Sequence, residues 1–193
     1  MPAISDLSRN SFYRMIHEFL GKRPVFNHTN YLAPSADLIG EVTLGEWSSV
    51  WFNTTVRGDV NRIVIGSASN IQDNTCIHVM NRTGPTMIGN QVTIGHNCMI
   101  HGCTIHDRVL VGIGTVVLDK AVIHPDVIIG AGSVVAPGKV LESGFLYVGQ
   151  PAKPVRELSP EEIASIVGYS QNYVKYSRIY LGIDTPEKNP FYE

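Results

Sequence analysis

At 193 residues the chain can bury a substantial core as one domain with an appendage. Fifteen Lys and Arg against seventeen Asp and Glu leave a net charge of −2. With no block of either sign, that balance excludes an electrostatic grip on nucleic acid or an anionic membrane. The N-terminus lacks the basic, apolar and small-residue zones of a signal peptide, and no apolar run reaches membrane-spanning length, so a cytoplasmic protein is expected.

In chain order, residues 1–24 read as an N-terminal extension in which Ser11 to Leu20 suits a short helix. Residues 25–150 carry a repeat. From residue 38, aliphatic side chains return every six positions: Leu38, Leu44, Val50, Val56, then Ile65, Ile71, Ile77, then Ile88, Ile94, Ile100. After one five-residue step they resume at Ile105, Val111, Val117, Ile123, Ile129 and Val135. A second series four residues later is small or β-branched: Val42, Ser48, Thr54, Ser69, Thr75, Val92, Cys98, Val109, Thr115, Ala121, Val127, Ser133. Six is too long a period for strand alternation and does not fit a 3.6-residue helix. It marks a parallel β-helix of roughly 18 residues and three short strands per turn, hence about five to six turns. A β-sandwich would need hairpin turns at wider spacing, which are absent.

Two interruptions break the register, one at 57–62 and one at 78–86. Insertions in solenoids bulge to one side and often build sites. The repeat ends near Val140, and 149–154 reads as a linker opening the final segment, 151–193. A helix then starts at Ser159 as N-cap, with Pro160 in the first turn and Glu162 completing a capping box. Ile163, Ile166, Val167, Ser170, Tyr173, Val174, Ser177, Tyr180 and Leu181 mark its inner face, and Gly182 closes it.

Three of the seven histidines, His78, His96 and His101, fall inside the repeat at suggestive spacing. His78 and His96 are 18 residues apart, about one turn, so they can project from neighbouring turns. His96 and His101 stand on either side of a corner. Three neutral imidazoles with an open fourth position make a catalytic zinc site, in which the pKa of bound water falls from about 15.7 to about 7. His106 and His124 match no pattern and read as surface residues. Cys76, Cys98 and Cys103 are an odd count without CxxC spacing, which argues against a disulfide framework or a thiolate zinc site.

The stretch Arg57-Gly58-Asp59, then Asn70-Ile71-Gln72-Asp73, His78, Gly95-His96-Asn97 and His101-Gly102-Cys103 resembles the gamma-class carbonic anhydrase pattern. The segments 141–149 and 169–175 are similar to the bacterial YrdA-type members. The resemblance implies a left-handed parallel β-helix, an exception to the usual right-handed crossover, with the C-terminal helix packed along it. It also implies a homotrimer that interconverts carbon dioxide and bicarbonate at metal sites between subunits. His78 and His101 would come from one chain and His96 from its neighbour. Arg57 and Asp73 would sit at the interface, with Asp59 nearby as a partner for ion pairs; both a structural and a catalytic role stand for Arg57. Gln72 would orient the nucleophile, Asn70 would support Gln72, and Tyr173 would be the aromatic that the helix brings near the metal. The family metal is zinc, with iron(II) or cobalt in some members, and three imidazoles do not choose among them.

The chain departs from the active pattern in its acids. A glutamate follows the RGD aspartate in active members, where this chain has Val60, and the loop 79–86 contains no acid. Regenerating the nucleophile requires exporting a proton, so hydration is expected to be slow. Two other functions stand beside it: a non-catalytic zinc-binding trimer, and a CoA-dependent acyltransferase or thioesterase on the same coil.

Overall fold

The aliphatic positions six apart stack into three columns along a parallel β-helix of about seven turns, seen in a computed structural model that describes residues 15–190. One column runs Leu38, Val56, Ile77, Ile100, Val117, Val135. The second runs Leu44, Ile65, Ile88, Ile105, Ile123, Leu141. The third runs Val50, Ile71, Ile94, Val111, Ile129, Tyr147. None of these side chains is more than 5% exposed, and each such burial contributes about 1.5–3 kcal/mol. The second series is buried with them. Its hydroxyls bond main-chain carbonyls inside the coil: Thr54 Oγ1 donates to Gln72 O (2.8 Å) and Thr75 Oγ1 to Gly95 O (3.0 Å). Small polar residues recur there because each can meet a carbonyl without leaving a void.

The coil is longer than the six-residue count implied, because rungs form beyond both ends of that series. Leu141 and Tyr147 extend two columns past Val140. At the other end Tyr31–Leu32 pairs with Ser49–Val50, and Ile16–His17 pairs in parallel with Leu38–Ile39. The expected helix at Ser11 to Leu20 is therefore corrected from residue 15 onward, where the chain is a short strand and a bridge; residues 11–14 lie outside the described part. Ile16 packs against the core, and a backbone laid on an open rung has its hydrogen bonds supplied by the coil.

Both interruptions are absorbed without breaking the coil. Two long strands, Asp37–Leu44 and Thr55–Ile65, pass round a corner and join two of the three faces. Gly40 stands opposite Gly58 but Val42 opposite Ile63, so the excess bulges out at 59–62. The rungs touch here: a Cβ on Gly58 would lie 2.6 Å from Glu41 O. The glycine of Arg57-Gly58-Asp59 is thus required by close backbone approach. At the second interruption the chain leaves the coil after Val79 and returns at Thr86, pinched by a bridge between Met80 and Gly84.

The stretch read as a linker instead folds back: Ala152–Glu157 runs antiparallel to Phe145–Gly149, covering the last rung's edge. Helix α1 follows at Pro160–Tyr180 with the expected capping box; Glu162 N–H donates to Ser159 Oγ, and Ser159 N–H donates to the Glu162 carboxylate. At its end Gly182 (φ 69°) donates to Ile179 O and Ile183 to Arg178 O, a Schellman closure. Ile166, Ser170 and Ser177 are its fully buried residues, and Tyr180 lays its ring on Tyr31 and Trp51 on the same face while staying 58% exposed. The two serines let α1 approach the face built from Tyr31–Leu32, Ser49–Val50 and Thr93–Ile94, and Ser170 Oγ donates to Ala68 O (2.6 Å). No helix among the described residues is long and apolar enough to cross a membrane.

Candidate functional site

His78 and His101 are cross-strand neighbours on successive rungs. Their separation in sequence is 23 residues, not one 18-residue turn, because the 79–85 loop lengthens this turn. The 18-residue spacing that pointed from His78 to His96 therefore does not place those two side by side; His101 takes that position. His78 Nδ1 lies 3.1 Å from His101 Nε2. A buried hydroxyl clamps the main chain behind them: Thr86 Oγ1 donates to His78 O (2.5 Å) and accepts from Gly102 N–H (3.0 Å).

Each ring's far nitrogen is held by a carboxylate. His78 Nε2 is 2.9 Å from Asp59 Oδ1, and His101 Nδ1 is 2.6 Å from Asp119 Oδ1. Asp59 Oδ2 also pairs closely with Arg57 Nη1. Burial raises the Asp59 pKa, but hydrogen bonds from His78 and Arg57 outweigh it and hold the carboxyl below its ordinary value. Within its own chain Asp59 thus serves both Arg57 and His78. A carboxylate accepts but does not donate, so in neutral rings the far nitrogens carry the protons and the near ones carry lone pairs. Two lone pairs at 3.1 Å repel unless a proton or metal cation lies against them. The donor set therefore fits a cation.

His96 stands apart, at the corner after Thr93–Ile94, where Asn97 takes the left-handed conformation (φ 62°) that asparagine tolerates. Its Nδ1 is 2.9 Å from Asp73 Oδ2, leaving Nε2 without a partner among the described residues. His96 borders a cleft of about 420 Å³ with Gln72, Leu110, Ile113 and Tyr173. Gln72 is held in series: its Nε2 donates to Asn70 Oδ1 (3.1 Å), and Asn70 Nδ2 donates to Thr93 Oγ1 (2.9 Å). Tyr173 stands edge-on to Trp51, 5.2 Å between centroids. Burial first, then Asp73 and Tyr176, push its phenol up to about 12, so it is a neutral hydroxyl at physiological pH.

The structure brings His78, His101, Asp59 and Arg57 together on one edge, and His96, Asp73, Gln72, Asn70 and Tyr173 on another. Among the described residues of one chain, no three His, Cys, Asp or Glu side chains gather to hold a single metal ion. Asp119 and Thr86 are additions to the expected residues. Asp119 lies 18 residues after His101, the period of an unbroken turn, and that spacing could have found it; Thr86 closes an irregular loop and gives no periodic signal. His106 and His124 stack outside the coil, 5.5 Å between centroids and 2° from parallel.

Coil, columns and corner histidines define a hexapeptide-repeat β-helix protein. No protein-family model matches the chain. Among curated relatives, the protein YrdA of Escherichia coli is 43% identical over 92% of this chain and 96% of its own length. A probable carbonic anhydrase of Methanocaldococcus jannaschii is 49% identical over 76% of this chain and 91% of its own. Gamma carbonic anhydrase 2, mitochondrial, of Arabidopsis thaliana is 41% identical over 88% of this chain, which spans only 63% of that relative's length. Two solved structures share the fold: a hexapeptide transferase family protein of Anaplasma phagocytophilum (TM-score 0.83, 40% identity, covering 86% of this chain and 98% of that one) and a putative acetyltransferase of Bacillus cereus (TM-score 0.85, 35% identity, covering 88% and 98%). The chain belongs to the gamma carbonic anhydrase and YrdA family of hexapeptide-repeat proteins.

Proposed function

We propose that this protein is a metal-dependent carbonic anhydrase-like hydratase converting carbon dioxide to bicarbonate, with zinc as the metal. His78 and His101 of one chain and His96 of a neighbouring copy in a homotrimer would be the ligands. The observation that carries the reading is the facing pair of imidazole nitrogens at 3.1 Å, each ring anchored behind by an aspartate. Two nitrogens on a tetrahedral zinc with bonds of about 2.05 Å stand about 3.3 Å apart, close to that separation. The third ligand has to arrive from elsewhere, and His96 on a second edge has a free Nε2 to contribute. The carbonic anhydrase names of two relatives support the same activity.

A bound divalent metal supplies Lewis acidity that brings the pKa of water near neutrality. The remaining work belongs to side chains. Gln72, fixed through Asn70 and Thr93, offers an amide of defined orientation to a reacting oxygen. Leu110 and Ile113 give the cleft an apolar wall suited to an uncharged substrate. Tyr173 remains a hydroxyl donor throughout the physiological range. Proton export is the weak step, since Val60 and the 79–86 loop offer no acid, and turnover is therefore slow.

The name of the Bacillus cereus structure, a putative acetyltransferase, favours acyl transfer as a second reading, and calorimetric titration with CoA tests it directly. The test of the hydratase is stopped-flow carbon dioxide hydration on zinc-loaded and anaerobic iron(II)-loaded protein, with His96→Ala as the blank. Rates above that blank are expected. Rates equal to it, with metal bound, would leave a non-catalytic zinc-binding assembly.

A further inference from the structure

We propose that Asp119 is a positioning residue that selects the tautomer of His101, leaving Nε2 as the lone-pair nitrogen. The inference rests on the metal-site reading above and extends it to a residue behind the imidazole. Asp119 Oδ1 lies 2.6 Å from His101 Nδ1, the shortest of the three histidine–aspartate contacts described above. Left to itself, a neutral imidazole prefers its proton on Nε2. That arrangement would direct the N–H at His78 Nδ1, 3.1 Å away, and leave Nε2 without the lone pair a metal needs. A carboxylate accepting at Nδ1 reverses the preference, because it offers no proton of its own.

The surrounding backbone is built to hold that carboxylate. A Cβ on Gly102 would collide with Asp119 Oδ1, so only glycine after His101 leaves the carboxylate room to reach the ring. The next corner is stitched to the same glycine: Lys120 N–H donates to Gly102 O at 2.7 Å, with Lys120 in the left-handed region (φ 59°). The His101-Gly102 pair and Asp119 one turn later thus form one unit, in which glycine supplies space, the corner fixes the main chain and the carboxylate sets the proton. Asp119 and His101 are 31% and 29% exposed, so water can reach the His101 nitrogen that loses its partner, and a change in the site can be separated from a change in stability.

The experiment is long-range ¹⁵N–¹H NMR of the histidine rings in the metal-free full-length protein at pH 8, comparing wild type, Asp119→Ala and Asp119→Asn. Wild-type His101 is expected to carry its proton on Nδ1, and Asp119→Ala to move it to Nε2. Asp119→Asn, whose amide oxygen can still accept, should restore much of the Nδ1–H form. Zinc titration of the same proteins should show affinity 10- to 100-fold weaker in Asp119→Ala, the usual cost of removing a residue that orients a metal-binding histidine. Identical tautomers in wild type and Asp119→Ala would overturn the inference. Failure of wild type to bind zinc would instead overturn the metal-site reading, while the tautomer comparison still decides the role of Asp119.

Discussion

His78 Nδ1 and His101 Nε2 face each other at 3.1 Å, while Asp59 and Asp119 hold the opposite side of each ring. The first prediction concerns that pair and the isolated His96. Replacing any one of the three by Ala is expected to abolish stoichiometric zinc, measured by elemental analysis after dialysis against a weak chelator. Full retention in all three variants would sink the assignment.

The clamp behind the pair gives a second prediction. Thr86 is fully buried, and its hydroxyl serves both His78 O and Gly102 N–H. Thr86→Val keeps the shape but strips both bonds, and should cost about 1–3 kcal/mol in denaturant unfolding. Thr86→Ser should recover most of it. Equal stability of the valine variant and wild type would show that the loop is held by other contacts.

Helix α1 brings Tyr173 to the cleft, and its seat depends on small side chains. Ser170 is fully buried, with its hydroxyl on Ala68 O. Ser170→Leu is expected to lift the helix, cost about 1–3 kcal/mol as overpacking, and change the fluorescence of Trp51, against which Tyr173 packs. Unaltered Trp51 emission would argue that the helix seats elsewhere.

The start of α1 carries a pH dependence. The Arg156 guanidinium first, then the Ser159 amide, pull the Glu162 carboxyl from 4.5 down to about 2. A carboxyl lowered in the folded state contributes stability above its unfolded value and loses it as pH falls through the folded one. Amide exchange in the first turn of α1 should therefore rise, relative to mid-helix amides, as pH drops from about 5 to about 2. In Glu162→Gln that relative change should vanish; its persistence would assign the effect to another group.

The coil was legible because a solenoid writes its core into the sequence at a constant period, and every inward position named from that period is buried. Legibility failed where the period did. The turn from His78 to His101 carries a loop, so a count of 18 residues points to His96, and only the family resemblance puts His78 and His101 together on one chain. Asp119 sits in an unbroken turn, 18 residues after His101 and within reach of the same count, but one aspartate among many carries no signature of its own. The joining of His96 to Tyr173 depends on how α1 docks, and docking turns on two buried serines that carry no functional signature. At the N-terminus a backbone laid on an open rung overrode the helix pattern, since a two-residue strand is chosen by its partner and not by its own propensity.

The loop at 79–85 separates two quantities that most folds tie together. It adds contour length between His78 and His101, yet the ladder on either side fixes how far apart the two rings stand. Val79 stays in the core and the Met80–Gly84 bridge closes the neck, so the imidazoles keep their rung-to-rung spacing whatever stands between. The exposed part of that loop, Asn81 to Thr83, can thus vary without moving the two rings. The outline of the rim and the spacing of the two rings are set by different parts of one turn of the coil.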